Sequence, residues 1–372
     1  VMRFEHAPGD KLFVDYAAYK DSSGLPGYLT TTAYHADPRA SATPSDWQKR
    51  DGTRLRPGVK LPLTDALTLE AEVSTEGEDQ HANYASFGSR SDRNKDMLSF
   101  TPRLRWRHGL GGLGSETVLG LDYYDGDVDA RYSTAPRQKA SQTSSAAYFQ
   151  NVTSLSEAWA LTLGVRSQRL EQDAHQDAYP PWFSPAVDGS ATRRRNAWDL
   201  GASYSGQGWR AYGKAGTTFR FPNTDELFGF SAILGVPVFA GDLKPQHGTI
   251  IELGGSFALG PLQGRASLYR MRLEDEIGYD GASGSNVNFD PTRRQGFEAE
   301  LDWRIVERLK VKLAYAWTDA EFRDGPYDGN RVPLVPGNKA TLQLAWDAGR
   351  AGSYAALVNY VGERRYSGDY DN

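Results

Sequence analysis

Apolar and polar residues alternate along this chain with a period of two. Leu67, Leu69, Ala71 and Val73 interleave with Thr68, Glu70, Glu72 and Ser74. Trp159, Leu161, Leu163 and Val165 interleave with Ala160, Thr162, Gly164 and Arg166. The same rhythm runs through Leu98–Arg107, Phe297–Arg304, Leu309–Thr318 and Ala340–Trp346. Successive side chains of an extended chain point to opposite faces, so each run offers one apolar and one polar face. Many runs approach ten residues. A tilted strand needs ~9–11 residues to cross a bilayer, whereas strands of globular domains usually run ~5–6. Pro102 falls inside one run and removes a ladder donor, so a bulge or a strand end is expected there.

The connections fall into two classes. Short turns are expected near Ser23-Gly24, Leu63-Thr64, Gly111-Gly112, Leu155-Ser156, Gly206-Gln207, Gly260-Pro261, Val306-Glu307 and Gly349-Arg350. Long polar segments lie between them, at roughly 32–58, 75–96, 125–141, 170–196, 220–248, 276–294 and 319–338. Eight short turns imply about sixteen strands. Alternation of short and long connections is the pattern of an antiparallel up-and-down barrel in an outer membrane. Trp106, Trp303 and Trp346 precede short turns and Trp159 and Trp209 follow them, which places five of the 9 Trp near one rim. Trp favours a bilayer interface, where its ring meets lipid and its N–H meets water. A soluble sandwich would not need every second connection to be long, and no propeller-blade signature recurs with the hairpins.

Composition narrows the class further. The chain of 372 residues is 39% hydrophobic, and no stretch approaches the ~18–20 apolar residues of a spanning helix. Ala232–Gly241, the longest near-apolar segment, is broken by Gly235 and Pro237. Aromatic residues make up 12%, more than a disordered chain carries. The net charge is -5 with scattered basic residues, which points away from nucleic acid. Without Cys, disulfides and thiolate metal sites are excluded. Val1-Met2-Arg3-Phe4 does not read as a signal peptide, and both ends read as cuts through a longer polypeptide.

Five motifs in order carry a resemblance. Thr218–Gly229 places Arg220, Pro222, Asp225, Glu226, Leu227, Phe228 and Gly229 in an Arg-x-Pro step, an acidic pair, then Leu, an aromatic and Gly. Leu243–Gly254 reads as a Leu-Lys-Pro step into an alternating strand, with Gln246 where Glu is usual. Asn288, Arg293-Arg294 and Gln295–Glu300, with Gly296 and Glu298, form the third. Tyr315–Phe322 followed by Gly329–Pro336, with Pro333 and Pro336, is the fourth. Tyr360–Arg365 is the fifth. Together they resemble the barrel of the TonB-dependent receptors. Residues 1–211 share only the pattern, with a possible early step at Gly24–Thr30.

The resemblance implies a 22-stranded outer-membrane barrel, of which residues 1–372 are the partial wall, with no plug domain in the chain. It implies active uptake of a scarce metal chelate, such as a ferric siderophore or cobalamin, in a Gram-negative cell. Energy would come through TonB acting on a plug. A passive porin or diffusion channel shares the barrel and lacks the plug. The motif residues are expected to shape turns and strand starts, with Arg220 and Glu226 paired in the lumen.

Other residues are candidates for binding. Tyr179-Pro-Pro-Trp-Phe183, with Trp182, and the segment from Phe228 through Phe230 to Phe239 put aromatic rings in long loops, where they often mark binding surface. His175 and His247 flank these loops, and His81 sits in another. Arg193, Arg194 and Arg195 form a cationic cluster that would draw an anionic chelate or, facing outward, lipopolysaccharide phosphates. Asp125, Asp127 and Asp129, with Asp122 nearby, offer hard oxygen ligands but lack the remainder of a calcium loop. No nucleophile motif, phosphate loop or metal-hydrolase helix is present, so neither catalysis nor a cofactor is expected.

Overall fold

Sixteen strands join in one antiparallel sheet. The computed structural model describes residues 11–231, 236–280, 283–366 and 368–371, with the backbone alone described at 182, 230, 231, 236 and 237. The first strands are β1 (Lys11–Gly24), β2 (Trp47–Pro62), β3 (Leu67–Tyr84), β4 (Ser89–Phe100), β5 (Arg103–Leu110), β6 (Leu113–Tyr132) and β7 (Gln138–Ser154). Next come β8 (Trp159–Gln176), β9 (Val187–Gly206), β10 (Trp209–Arg220), β11 (Phe228–Ser231), β12 (Val236–Phe239), β13 (Gln246–Leu259) and β14 (Leu262–Glu274). The last are β15 (Glu276–Asp280), β16 (Ser285–Phe289), β17 (Thr292–Val306), β18 (Leu309–Phe322), β19 (Asn338–Asp347) and β20 (Ser353–Val361). β11–β12 and β15–β16 are separate hairpins. One short helix, α1 (Thr31–Ala36), lies between β1 and β2.

β4 and β5 are two halves of one crossing between β3 and β6. The break falls at Thr101-Pro102, as the missing N–H requires. Thr101 N still donates to Glu72 O at 2.9 Å and Leu121 N to Pro102 O at 3.0 Å, so the ladder is bent rather than lost. The sixteen strands therefore make fifteen crossings. Seven of the expected short turns lie at one rim, where β2–β3, β5–β6, β7–β8, β9–β10, β13–β14, β17–β18 and β19–β20 connect. The eighth is corrected: Ser23-Gly24 ends β1 opposite Trp47 and leads into residues 25–46 at the other rim. Both residues are small and polar, which mimics a turn on an exposed strand end.

The long polar segments are also corrected. Much of each is strand: β3 runs on to Tyr84, β6 to Tyr132 and β8 to Gln176. β8 shows why. Trp159, Leu161, Leu163 and Val165 share one face, and Leu161 to Val165 are 39 to 46% exposed. That face continues as Ser167, Arg169, Glu171, Asp173 and His175. Only the lower half of the strand meets lipid. Above it the outer face turns polar while the inner face, with Leu170 2% and Gln172 1% exposed, is buried, so the apolar alternation of the lipid band is lost although the ladder keeps the chain extended.

Two Trp bound this lipid band from above. Trp198 on β9 lies opposite Val165 on β8, and Trp317 on β18 lies opposite Phe297 on β17. With Trp106, Trp159, Trp209, Trp303 and Trp346 at the lower rim, the apolar face has an aromatic belt at each edge.

The inner face is polar and ion-paired. Glu70 accepts from Arg103 Nε at 2.5 Å and lies 3.3 Å from Lys60 Nζ. Asp15 pairs with Arg56, which also lies 3.6 Å from Glu72. Aromatic rings lie flat over glycines of the adjoining strand. A Cβ at Gly120 would stand 2.1 Å from Tyr148 Cζ, and one at Gly254 would stand 2.5 Å from Tyr212 Oη. No side chain but hydrogen leaves room for these rings.

Candidate functional site

The rim opposite the short turns carries the candidate mouth. Its main element is the 221–245 connection, which folds over the inner face of β8 and β9. The connection starts from the Arg220 motif. Asn223 Oδ1 accepts from Glu226 N at 3.0 Å, and Glu226 Oε2 accepts from Asn223 N at 2.8 Å, a reciprocal cap. The same carboxylate accepts from Arg220 Nη1 at 2.8 and 3.0 Å, and Arg220 Nη2 donates to Ile277 O at 3.1 Å. Leu227 is fully buried behind this turn. Asp225 reaches across to pair with Arg93 on β4. These motif residues hold one another and the β15–β16 hairpin. Gly229 lies on β11 against Val238, with Phe228 opposite Phe239. Gly296 and Glu298 lie mid-strand on β17, while Pro333 and Pro336 lie in the 323–337 connection.

The arginine cluster does not act as one. The pleat of β9 sends Arg193 and Arg195 to the inner side and Arg194 to the outer. Arg193 is 8% exposed and fully engaged. Its Nε donates to Leu243 O at 3.0 Å, Nη2 to Gly241 O at 3.1 Å and Nη1 to Gln172 Oε1 at 2.9 Å. Gln172 passes the network on to Pro222 O at 2.9 Å. Arg195 Nη2 donates to Pro245 O at 3.1 Å and lies 3.4 Å from His247 Nδ1. His247 is further flanked by Glu274 at 3.4 Å and Asp275 at 3.7 Å. Two of the three arginines thus clamp backbone carbonyls. Three adjacent cations read as one patch in sequence, and only strand register separates them.

The aromatic candidates are spread more widely. Tyr179 bridges to Ser184, and Phe183 projects 93% exposed at a left-handed φ of 52°. The backbone of Trp182 belongs to the same short 3-10 turn. The Phe239 ring packs on Gly189, where a Cβ would stand 2.1 Å from it. The side chains of Trp182 and Phe230, and all of residues 232–235, lie outside the described residues. His175 is corrected from a loop to the outer face of β8. Its Nδ1 lies 2.6 Å from Asp188 and its Nε2 2.9 Å from Asp177. His81 likewise sits on β3, 2.6 Å from Asp92.

Asp125, Asp127 and Asp129 also move from a loop to a strand, on the outer face of β6. Asp129 is held by Arg137 and Arg131, and Asp125 accepts from Thr143 at 2.8 Å. Among the described residues no group of three or more His, Cys, Asp or Glu could hold a metal ion.

Sequence reasoning missed one assembly at this rim. Phe289, Phe322, Tyr327 and Tyr370 form a ring cluster with centroids 5.1 to 6.1 Å apart. Tyr370 Oη donates to Tyr279 O at 3.1 Å, and Asn330 Nδ2 to Tyr370 O at 2.7 Å. Asn288 ties the neighbouring connections, accepting from Lys244 N at 2.8 Å and donating to Lys244 O at 2.9 Å. No local spacing announces contacts between such distant residues.

This architecture matches known proteins. A family model described as the TonB-dependent receptor-like β-barrel matches residues 4–372. The iron-regulated outer membrane virulence protein of Vibrio cholerae is 26% identical over 251 residues, covering 61% of this chain and 35% of that protein. The ferrioxamine receptor of Yersinia enterocolitica is 30% identical over 129 residues, 33% of this chain and 18% of its own length. The chain thus spans about a third or less of the curated relatives it matches. The crystal structure of the ferric-catecholate import receptor Fiu from E. coli superposes with a TM-score of 0.76 at 16% identity, over 95% of this chain and 62% of that one. The fold, the belts and the family match agree: the chain belongs to the TonB-dependent receptors, as outer-membrane β-barrel wall.

Proposed function

We propose that this wall belongs to an active importer that captures a scarce metal chelate, such as a ferric siderophore, at its outer mouth. Release through the barrel would be driven by TonB through a plug. The observation that carries this reading is the family match over residues 4–372, and the iron-related names of the curated relatives support it. The polar inner wall suits a passage for a hydrophilic solute. The connections 177–186, 221–245 and 323–337 join strands at the same rim and would form the capture surface. Phe183 and Tyr179 would offer broad contact at small entropy cost, with Phe228 and Phe239 on the facing connection, and the sequence adds Trp182 and Phe230 to these candidates. His175, Arg194 and the clamped Arg193, Arg195 and His247 would act on the shape or charge of the rim rather than touch the chelate. The domain is read as the partial barrel, with the plug supplied by the rest of the polypeptide.

The test is growth of a deletion strain on single ferric chelates and on cobalamin, complemented with the full-length receptor. Loss of growth on one chelate, restored by the receptor but not by a receptor lacking its plug, supports the reading. Equal passage of solutes of one size without TonB would replace it with a diffusion channel.

A further inference from the structure

The 177–186 connection meets the wall through a neck. The β8–β9 ladder ends at the pair Gln176–Val187, and the tip of the connection is closed again by the Tyr179–Ser184 bridge. There Tyr179 N donates to Ser184 O at 2.9 Å and Ser184 N to Tyr179 O at 3.2 Å. Between ladder and tip, Asp177 and Ala178 run beside Pro185 and Ala186 with no strand pairing. Pro185 has no N–H to give to such a pairing. Asp177 N instead donates outward, to Arg137 O at 2.9 Å. The ladder therefore does not fix the angle between tip and wall.

Side chains complete the attachment. His175, on the outer face at the top of β8, stands between two carboxylates that flank the neck. Asp177 belongs to its first limb, and Asp188 lies on β9 just beyond its second. His175 Nδ1 is 2.6 Å from Asp188 Oδ1, and Nε2 is 2.9 Å from Asp177 Oδ1. An ionised carboxylate only accepts, so each contact needs an N–H from the ring. Imidazolium has two, whereas neutral imidazole has one N–H and one lone pair. Loss of the proton turns one of the two contacts into a lone pair facing a carboxylate.

The neighbouring strands set the balance of charge around the ring. Lys139 on β7 stands directly opposite His175 and opposes its protonation, with Asp129 of β6 beyond it. Asp129 is occupied by Arg137 and Arg131. Asp173 precedes His175 on the same face of β8, and Ser190 of β9 lies opposite Asp173. The carboxylates prevail: hydrogen bonds to Asp188, then to Asp177, raise the His175 pKa above its ordinary value of about 6.5.

We propose that His175 is a proton-operated latch on the 177–186 connection, pinning both limbs of the neck as imidazolium and only one as imidazole. On deprotonation Nδ1–H keeps Asp188, which the β9 ladder holds in place, and Asp177 is released. The neck then hinges and carries Tyr179 and Phe183 with it. A group whose folded pKa is raised stabilises below its unfolded value and loses that contribution as pH rises through the folded one. The latch is accordingly shut in mild acid and opens toward alkaline pH. It stands on this geometry alone, and its bearing on uptake rests on the reading of these rings as capture surface.

The experiment measures hydrogen exchange of the full-length receptor in nanodiscs from about pH 5 to about pH 9, a range that brackets imidazole titration. Rates in 177–186 are divided by those of an unstructured peptide of the same sequence at the same pH. The expected result is a several-fold fall in protection of 177–186 as pH rises, with 323–337 showing no step at that midpoint. His175→Leu should be poorly protected throughout. His175→Arg, charged at every pH and rich in donors, should be protected throughout. Lys139→Gln, which removes the facing cation, should move the midpoint upward. Protection of the native connection that stays flat, or a step that survives in the Leu or Arg variant, would overturn the latch. Chelate binding at the two ends of the pH range, measured alongside, reports separately on the capture reading.

Discussion

Arg193 and Gln172 face each other across β8 and β9, with Nη1 2.9 Å from Oε1, and together they carry the 221–245 connection. Gln172 is 1% exposed and Arg193 8%. Replacing Arg193 with Met would leave the carbonyls of Gly241 and Leu243 and the Gln172 amide without this partner. A buried group left unpaired costs ~1–3 kcal/mol. The expected outcome is faster hydrogen exchange across 221–245, with the barrel strands unchanged. Arg194→Gln should leave that exchange as it was. Equal exchange in both variants would remove Arg193 as the clamp.

The lipid face is tested by charge placement. Leu313 and Leu344 are 43% and 38% exposed on the outer face, and Leu301 shares their side of the sheet. Leu→Arg at any of the three should cost ~2–4 kcal/mol near the midplane. Arg at Glu300, Lys312 or Gln343, on the inner face, should be tolerated. Folding into lipid vesicles, followed by denaturant titration, measures the difference. Comparable losses on both faces would reverse the assignment.

Topology has its own test. Cysteine labels introduced in the β9–β10 turn near Gly206 or the β19–β20 turn near Gly349 should resist an impermeant reagent in intact cells. Labels near Pro181 or Asp328 should react. Reaction at Gly206 but not at Pro181 would invert the barrel.

The 25–46 connection should loosen in acid. Asp46 is 4% exposed and accepts from Ser86 Oγ at 2.5 Å and Ser86 N at 2.9 Å. The Ser86 side chain, then its backbone N–H, hold the carboxyl below the usual carboxylate range. A carboxyl with a depressed folded pKa stabilises above its unfolded value and loses that contribution as pH falls through the folded one. Proteolysis within 25–46 should therefore be constant from neutral pH to the ordinary Asp range and rise below it. Asp46→Asn should show the raised rate at neutral pH. A rate independent of pH in the native protein would contradict this anchor.

The inner wall makes a last prediction. Gly120→Ala would push the Tyr148 ring off β6, because the new Cβ and Tyr148 Cζ cannot stand 2.1 Å apart. Overpacking of this kind costs ~1–3 kcal/mol. Pairing the change with Tyr148→Ser should recover most of the loss in the same titration.

What could be read from the sequence depended on whether two unlike media flanked a strand. Trp159 to Val165 meet lipid on one side and the lumen on the other, so alternation named them at once. From Ser167 upward the outer face of β8 is polar and its buried inner face mixes Leu170 and Ala174 with Gln172 and Gln176, and the same extended chain read as a loop. Pro102 was legible because a missing N–H acts locally. Ser23-Gly24 misled because small polar residues suit an exposed strand end as well as a turn. At the mouth, the Arg220–Glu226 turn lies within one motif. The Arg193 clamp and the Tyr370 ring cluster depend on register and on contacts between residues far apart in the chain, which no window of sequence contains.

The tyrosines laid over glycines bear on traffic through the wall. Tyr148 and Tyr212 lie along the sheet instead of jutting from it, so the bore keeps its width where bulky residues line it. A ring pinned against backbone also cannot swing with whatever moves past. A solute or a sliding segment would meet hydroxyl edges and paired charges at fixed positions, a surface with little rotational give. Friction along such a wall comes from making and breaking single hydrogen bonds, not from displacing side chains.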